Sequence, residues 1–245
     1  ITIKTEEEIG LLRENNLLVS ATLAEVAKHV APGVTTLELD RIAEEFIRSH
    51  GTQSRASSGT RIPEYALHLC KRTGGARYSV GLRTQGRRCS FGRLWHRYEG
   101  FYGDSAYTFA VGSIDPQVAK LLQVTKEALY KGVAQAKAGN RVGDISAAVQ
   151  QHAESNGFSV VRELVGHGLG RDMHEAGGAQ LRSPRTRPAA QGGNGHLHRT
   201  MINMGAGRWC SRRTDGQYVP QTANLRPISN LQWLSAREPD VLTDF

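Results

Sequence analysis

The stretch FGRLWHRYEGFYGDSAYTFAVG, residues 91–112, contains two kinds of text. From Phe101 onward it reads as an ordered strand pair with an acidic residue, Asp104, at a turn. Before Phe101 it holds Arg, Trp and His in no recognisable period. A change this abrupt inside one short segment needs a cause, and the rest of the chain supplies it.

The chain has 245 residues and a formal net charge of +8. That length can bury a substantial core. No apolar run approaches a membrane span, and the start, ITIKTEEEIG, lacks the layout of a signal peptide, so a cytoplasmic globular protein is expected. The positive charge is confined. Residues 54–100 carry +8, residues 177–234 carry +7, and everything else carries −7. All three Cys (Cys70, Cys89, Cys210) and all three Trp (Trp95, Trp209, Trp233) fall in the same two windows. Neither window shows basic helical periodicity or regularly interleaved aromatics, which argues against a nucleic-acid-binding surface.

Outside the windows the local signals are clear. Thr5 and Glu8 form a capping box ahead of a helical pattern at Ile9, Leu12, Leu23, Val26, Ala27 and Val30, which Pro32-Gly33 stops. A second helix follows Thr35/Thr36, with Leu39, Ile42, Ala43, Phe46 and Ile47 on one face and Gly51 as its stop. Asp115-Pro116 opens a helix running to about Ala138. Gly139-Asn140 breaks it, and Asp144 caps another that ends near Gly157. Residues 158–168 then read as a strand leading into a glycine-rich turn. At an offset of 106 residues the two helix pairs align: Gly33 with Gly139, Leu39 with Ile145, Ala43 with Val149, Gly51 with Gly157. This predicts a duplicated α/β (α+β) fold, its strands supplied by the sequence between the helix pairs.

Two motifs carry chemistry in clear text: GDSAYTF at 103–109 and VRELVGHGLGRDMHE at 161–175. Taken singly they are bland. Asp104 alone reads as a turn or capping residue, and His167 and His174 as loop histidines. A glycine-flanked His also suits an oxyanion-hole loop, but no G-x-S-x-G elbow accompanies it, nor is there an H-E-x-x-H zinc helix.

In this order and spacing the two motifs resemble type I methionine aminopeptidases, as do the amino-terminal helices and TKEALYKG at 125–132. The resemblance implies a pita-bread fold whose two pseudo-symmetric halves enclose a dimetal site, formed by residues 1–245 as a single domain. It implies removal of the initiator methionine from nascent proteins with a small second residue. Two divalent ions (Co, Mn, Fe or Zn) would share a hydroxide there. Asp104 matches one metal-binding Asp and His167 the metal-binding His, while His174 matches the catalytic histidine that approaches the scissile peptide. Expected partners are nascent polypeptide N-termini and the ribosome, with no membrane, no specific nucleic acid and a monomeric state.

The resemblance also calls for a second Asp, about eleven residues before Asp104 in a DCGT-like strand, and for two Glu. None is present. All are recovered in another reading frame. With suitable codons, residues 87–99 read one base on give GDVVSVDCGTVMK, whose second Asp straddles Arg93 and Leu94. The same shift over 67–79 yields VVHGIP, and over 177–200 it yields a strand whose Glu straddles Arg199 and Thr200. A two-base shift over 208–230 places the last Glu across Ser229 and Asn230. Trp has a single codon, so Trp95 followed by His96 forces the Gly that DCGT requires. The windows about 54–100 and 177–234 therefore read as frameshifted text. The alternatives are a catalytically dead product lacking three of five metal ligands, or a non-catalytic binding protein of the same fold.

Overall fold

A computed structural model of the chain describes residues 4–50, 65–71, 88–161, 167–172, 175, 194–204, 211–214, 217–220, 228–235 and 240–241. Helix α1 (Glu6–His29) opens on the expected capping box: Glu8 N donates to Thr5 Oγ1 at 3.3 Å and Thr5 N to Glu8 Oε2 at 3.1 Å. Helix α2 is Thr36–Ser49, with Thr35 as its cap. Strands β1 (Tyr65–Lys71), β2 (Arg88–Tyr98) and β3 (Phe101–Val111) follow. Then come α3 (Pro116–Val133), α4 (Val142–Ser155) and the short β4 (Ser159–Val160). The remaining strands are β5 (Asn194–Asn203), β6 (Ser211–Thr214), β7 (Gln217–Pro220), β8 (Ile228–Ser235) and β9 (Asp240–Val241).

The internal repeat is kept to the residue. Helix α2 begins at Thr36 and α4 at Val142, 106 positions later, and their last residues, Ser49 and Ser155, keep the same offset. The glycines that end the preceding loops, Gly33 and Gly139, have φ of +97° and +96°, a left-handed conformation that glycine adopts without strain. Each helix pair buries its own cluster. Val19, Leu23, Val26, Leu39, Ala43 and Ile47 pack with Leu94 and Phe109 in the first half. Leu121, Ala128, Val149 and Ala153 pack with Val160 and Ile202 in the second.

Three expectations need correction. Helix α3 closes at Val133 instead of about Ala138. The Asn140 side chain donates to the Gln135 carbonyl at 2.9 Å, satisfying an acceptor that a further helical turn would otherwise have used. Asp144 is not the cap of α4. Arg141 holds that position, and Asp144 lies one turn inside, its carboxylate accepting from Arg141 N at 2.7 Å. The strand pair expected from Phe101 onward is one strand, β3, and its hairpin partner is the aperiodic text before it, β2. Leu94, Trp95 and His96 are all buried, so both faces of β2 are covered and the sequence shows no alternation to read. Of the strand expected over 158–168, Ser159–Val160 forms β4, and 162–166 lie outside the described residues.

The main sheet runs β1-β2-β3-β8-β5-β4, with β9 on the side of β8. Strands β1 to β3 belong to the first half and β8, β5 and β4 to the second, so the halves meet where β3 pairs with β8. Gly103 lets α1 lie close against β3 at this point. A Cβ there would sit 2.9 Å from Val19 Cγ2 and 3.2 Å from the Asn15 carbonyl oxygen. Asn15 uses that proximity, donating to the Phe101 carbonyl at 2.6 Å and meeting His96 Nδ1 at 2.8 Å.

Candidate metal centre

Asp104 lies inside β3 and is fully buried, so it is not the turn residue expected from its local sequence. The turn is Glu99-Gly100, which joins β2 to β3, and Glu99 has φ of +49°. Phe101 anchors the start of β3 and is itself buried. Placing a carboxylate in a covered central strand costs desolvation energy unless a cation meets it.

The cation that meets it is Arg93. Its Nε lies 3.0 Å from Asp104 Oδ1 and 3.1 Å from Oδ2, and its Nη2 is 2.5 Å from Oδ2. The β2–β3 register pairs Trp95 with Asp104 and Arg93 with Ala106. Arg93 and Asp104 are therefore diagonal neighbours on one sheet face, a gap that a long side chain spans. Burial opposes the Arg93 charge, but Asp104 outweighs it and holds the guanidinium above its ordinary pKa. The same guanidinium sits 5.6 Å from the Trp95 ring centroid.

His167 approaches Asp104 from the loop that follows β4, its Nε2 3.9 Å from Asp104 Oδ2. Its Nδ1 lies 2.9 Å from the Gly168 carbonyl oxygen, to which it must donate. Nε2 is thereby turned toward the carboxylate, and in a neutral ring it is the nitrogen left to ligate a metal. His174 lies outside the described residues.

The loop after His167 is fastened to the start of the chain by contacts that sequence reading missed. Lys4 Nζ bonds both oxygens of Glu175, at 2.8 and 2.7 Å, with the Lys4 side chain 2% exposed. Glu175 Oε1 also accepts from Arg171 N at 3.1 Å, and its backbone bridges Gly168. Arg171 reaches Glu8 at 3.2 Å and covers the Phe101 ring. Tyr102 N donates to the Gly170 carbonyl at 2.8 Å, tying the loop directly to the strand that carries Asp104. The one sequence signal for Glu175 was its place in the motif beside His174.

Across the sheet, Arg93 stands opposite Ala106, Ala106 opposite Asn230, and Asn230 opposite Arg199. This single row crosses β2, β3, β8 and β5. It contains a member of each residue pair, 93/94, 199/200 and 229/230, across which the shifted reading places the absent acids.

Residues 10–202 match Metallopeptidase family M24. The chain is 41% identical over 183 residues to methionine aminopeptidase 1 of Bacillus subtilis, covering 71% of each chain. It is 38% identical over 217 residues to the methionine aminopeptidase of Clostridium perfringens, covering 85% of this chain and 84% of that one. The solved methionine aminopeptidase of Thermotoga maritima superposes over the whole of both chains with a TM-score of 0.88 at 26% identity. That of Rickettsia prowazekii does so at 0.90 and 24%. The fold and the family match thus define a pita-bread metallopeptidase, and the chain belongs to family M24. Within that family its relatives here are methionine aminopeptidases, which favours the enzyme reading over a binding protein.

The family implies a divalent metal cofactor. Among the described residues no group of three or more His, Cys, Asp or Glu could hold an ion. Asp104 and His167 are two adjacent donors, but a guanidinium occupies both oxygens of the carboxylate. These residues do not fit a pair of ions. Among the described residues the expected two ions find too few ligands, and on Asp104 Arg93 takes both oxygens.

Proposed function

We propose that this gene specifies a methionine aminopeptidase that hydrolyses the peptide bond after the N-terminal methionine of nascent chains with a small second residue. In this reading residues 1–245 form one catalytic domain, monomeric and cytoplasmic, working on N-termini near the ribosome. Residues about 54–100 and 177–234 are a shifted reading of the gene. The in-frame product carries the acids that this chain lacks. Asp104 and His167 are its metal ligands, for Mn, Fe, Co or Zn, and His174 donates a hydrogen bond to the scissile peptide.

The observation that carries this reading is the cross-strand row. Segments far apart in sequence, each read out of frame to recover a family motif, place expected acids across 93/94, 199/200 and 229/230, and one member of each pair lies in the row through Ala106, two residues from Asp104.

A tryptic peptide map by mass spectrometry, paired with an assay of methionine release from Met-Ala-Ser, tests it. The expected result is a peptide containing DVVSVDCGTVMK together with methionine release that a chelator abolishes. Asp104→Asn or His167→Ala should each lower that release more than ~100-fold, beyond what loss of a hydrogen-bond partner behind a ligand does. Peptides CSFGR and LWHR, with no methionine released, would overturn the assignment.

A further inference from the structure

The ion pair between Arg93 and Asp104 has the geometry of an occupied cation site. The carboxylate is fully buried in β3, and the guanidinium is itself largely buried, its side chain 13% exposed. The hydrogen bonds between them fall at 2.5–3.1 Å and involve both carboxylate oxygens. His167, its Nδ1 turned to the Gly168 carbonyl, presents Nε2 3.9 Å from the same carboxylate. Two metal-ligating groups of different elements therefore face one another, and the positive charge between the strands comes from a side chain.

A divalent ion bound to Asp104 would need a carboxylate oxygen at ~2.0–2.2 Å. Both oxygens are hydrogen-bonded to the guanidinium, so the ion would have to displace a planar fork that matches the carboxylate. It would also sit within a few ångströms of a permanent positive charge that cannot deprotonate. We propose that Arg93 is an internal cation holding the metal position on Asp104, so that this chain takes no divalent ion there and Asp104 with His167 becomes a metal site only when the guanidinium is removed. The inference rests on the ion pair and not on the aminopeptidase reading.

Equilibrium dialysis against Mn²⁺, with thermal unfolding in Mn²⁺ and in a chelator, tests it on a chain made from a gene synthesised to encode residues 1–245 as they stand, peptides CSFGR and LWHR verified, and on its Arg93→Asp and Asp104→Asn variants. Neither readout depends on catalysis. The unmodified chain should hold no Mn²⁺ that Asp104→Asn removes, and its Tm should be the same in both buffers. Arg93→Asp, refolded with Mn²⁺ present, should retain the ion and gain a Tm about 5–10 °C higher in Mn²⁺ at a hundredfold excess over Kd. One Mn²⁺ per unmodified chain, lost on Asp104→Asn, would overturn the inference, whether or not Arg93→Asp folds. An Arg93→Asp variant that folds and ignores Mn²⁺ would overturn it as well. Failure of the aminopeptidase reading shows instead in the peptide map and in methionine release.

Discussion

The helical layer and the central strand row of this molecule obey different rules. Helices α2 and α4 keep one length and one 106-residue offset, and each contributes to a cluster of its own half. The row that crosses β2, β3, β8 and β5 reads Arg, Ala, Asn, Arg, and all but the Ala belong to residue pairs across which the shifted reading places acids. The helices need only local caps and an apolar stripe, and both are intact. The row needs particular residues at particular register positions. A chain can therefore keep its architecture while its site chemistry is rewritten, provided that a buried Asp104 is still given a cation.

If each helix pair stabilises its own half equally, matched truncations should cost alike. Leu23→Ala and Leu121→Ala, both at fully buried positions, should each lose about 2–5 kcal/mol in urea unfolding. Both should shift one cooperative transition, because the sheet is continuous from β3 to β8. Two separated transitions, one sensitive to each variant, would break the comparison by showing two independently stable halves.

His96 sharpens it from the strand side. Burial lowers its pKa from 6.5 to about 4, and it stays neutral against Asn15. The unfolded chain takes up a proton as pH falls below about 6.5, while the folded chain does not until about 4. The stability is thus present at neutral pH and lost over that window, amounting to about 2–3 kcal/mol between pH 7 and 4.5. Urea midpoints across this range should show the loss, and His96→Gln should flatten it. An unchanged slope would mean that β2 is not the closed, dry strand described.

The smallest effect belongs to the helix ends. Thr5→Ala removes the acceptor for Glu8 N and should cost about 1 kcal/mol, read as a small shift of the urea midpoint. A much larger loss would mean that Thr5 also supports the neighbouring Lys4–Glu175 pair.

These contrasts explain what could be read from the sequence. The caps at Thr5 and Asp115, the loop glycines Gly33 and Gly139, and the apolar faces of α1 to α4 act over one or two turns, so they were visible in short windows. Asp104 and His167 were found through their motifs, and the fold brings them to 3.9 Å of one another. Strand β2 was legible only through its shifted, DCGT-like reading, because Leu94, Trp95 and His96 cover both its faces and its own residues show no alternation. The partnership of Arg93 with Asp104 depends on hairpin register, which the turn Glu99-Gly100 sets and composition does not reveal. The Lys4–Glu175 contact spans 171 positions and leaves no local trace.

That last contact also imposes an order of events. A chain made from its N-terminus forward completes α1 long before Glu175 exists, so Lys4 waits with its charge unpaired while three more helices are added. The loop bearing His167 is then latched onto a segment made 171 residues earlier. Closing so long a loop is among the entropically expensive steps of folding. His167 is therefore fixed in place late, after the strand that carries Asp104 has been made.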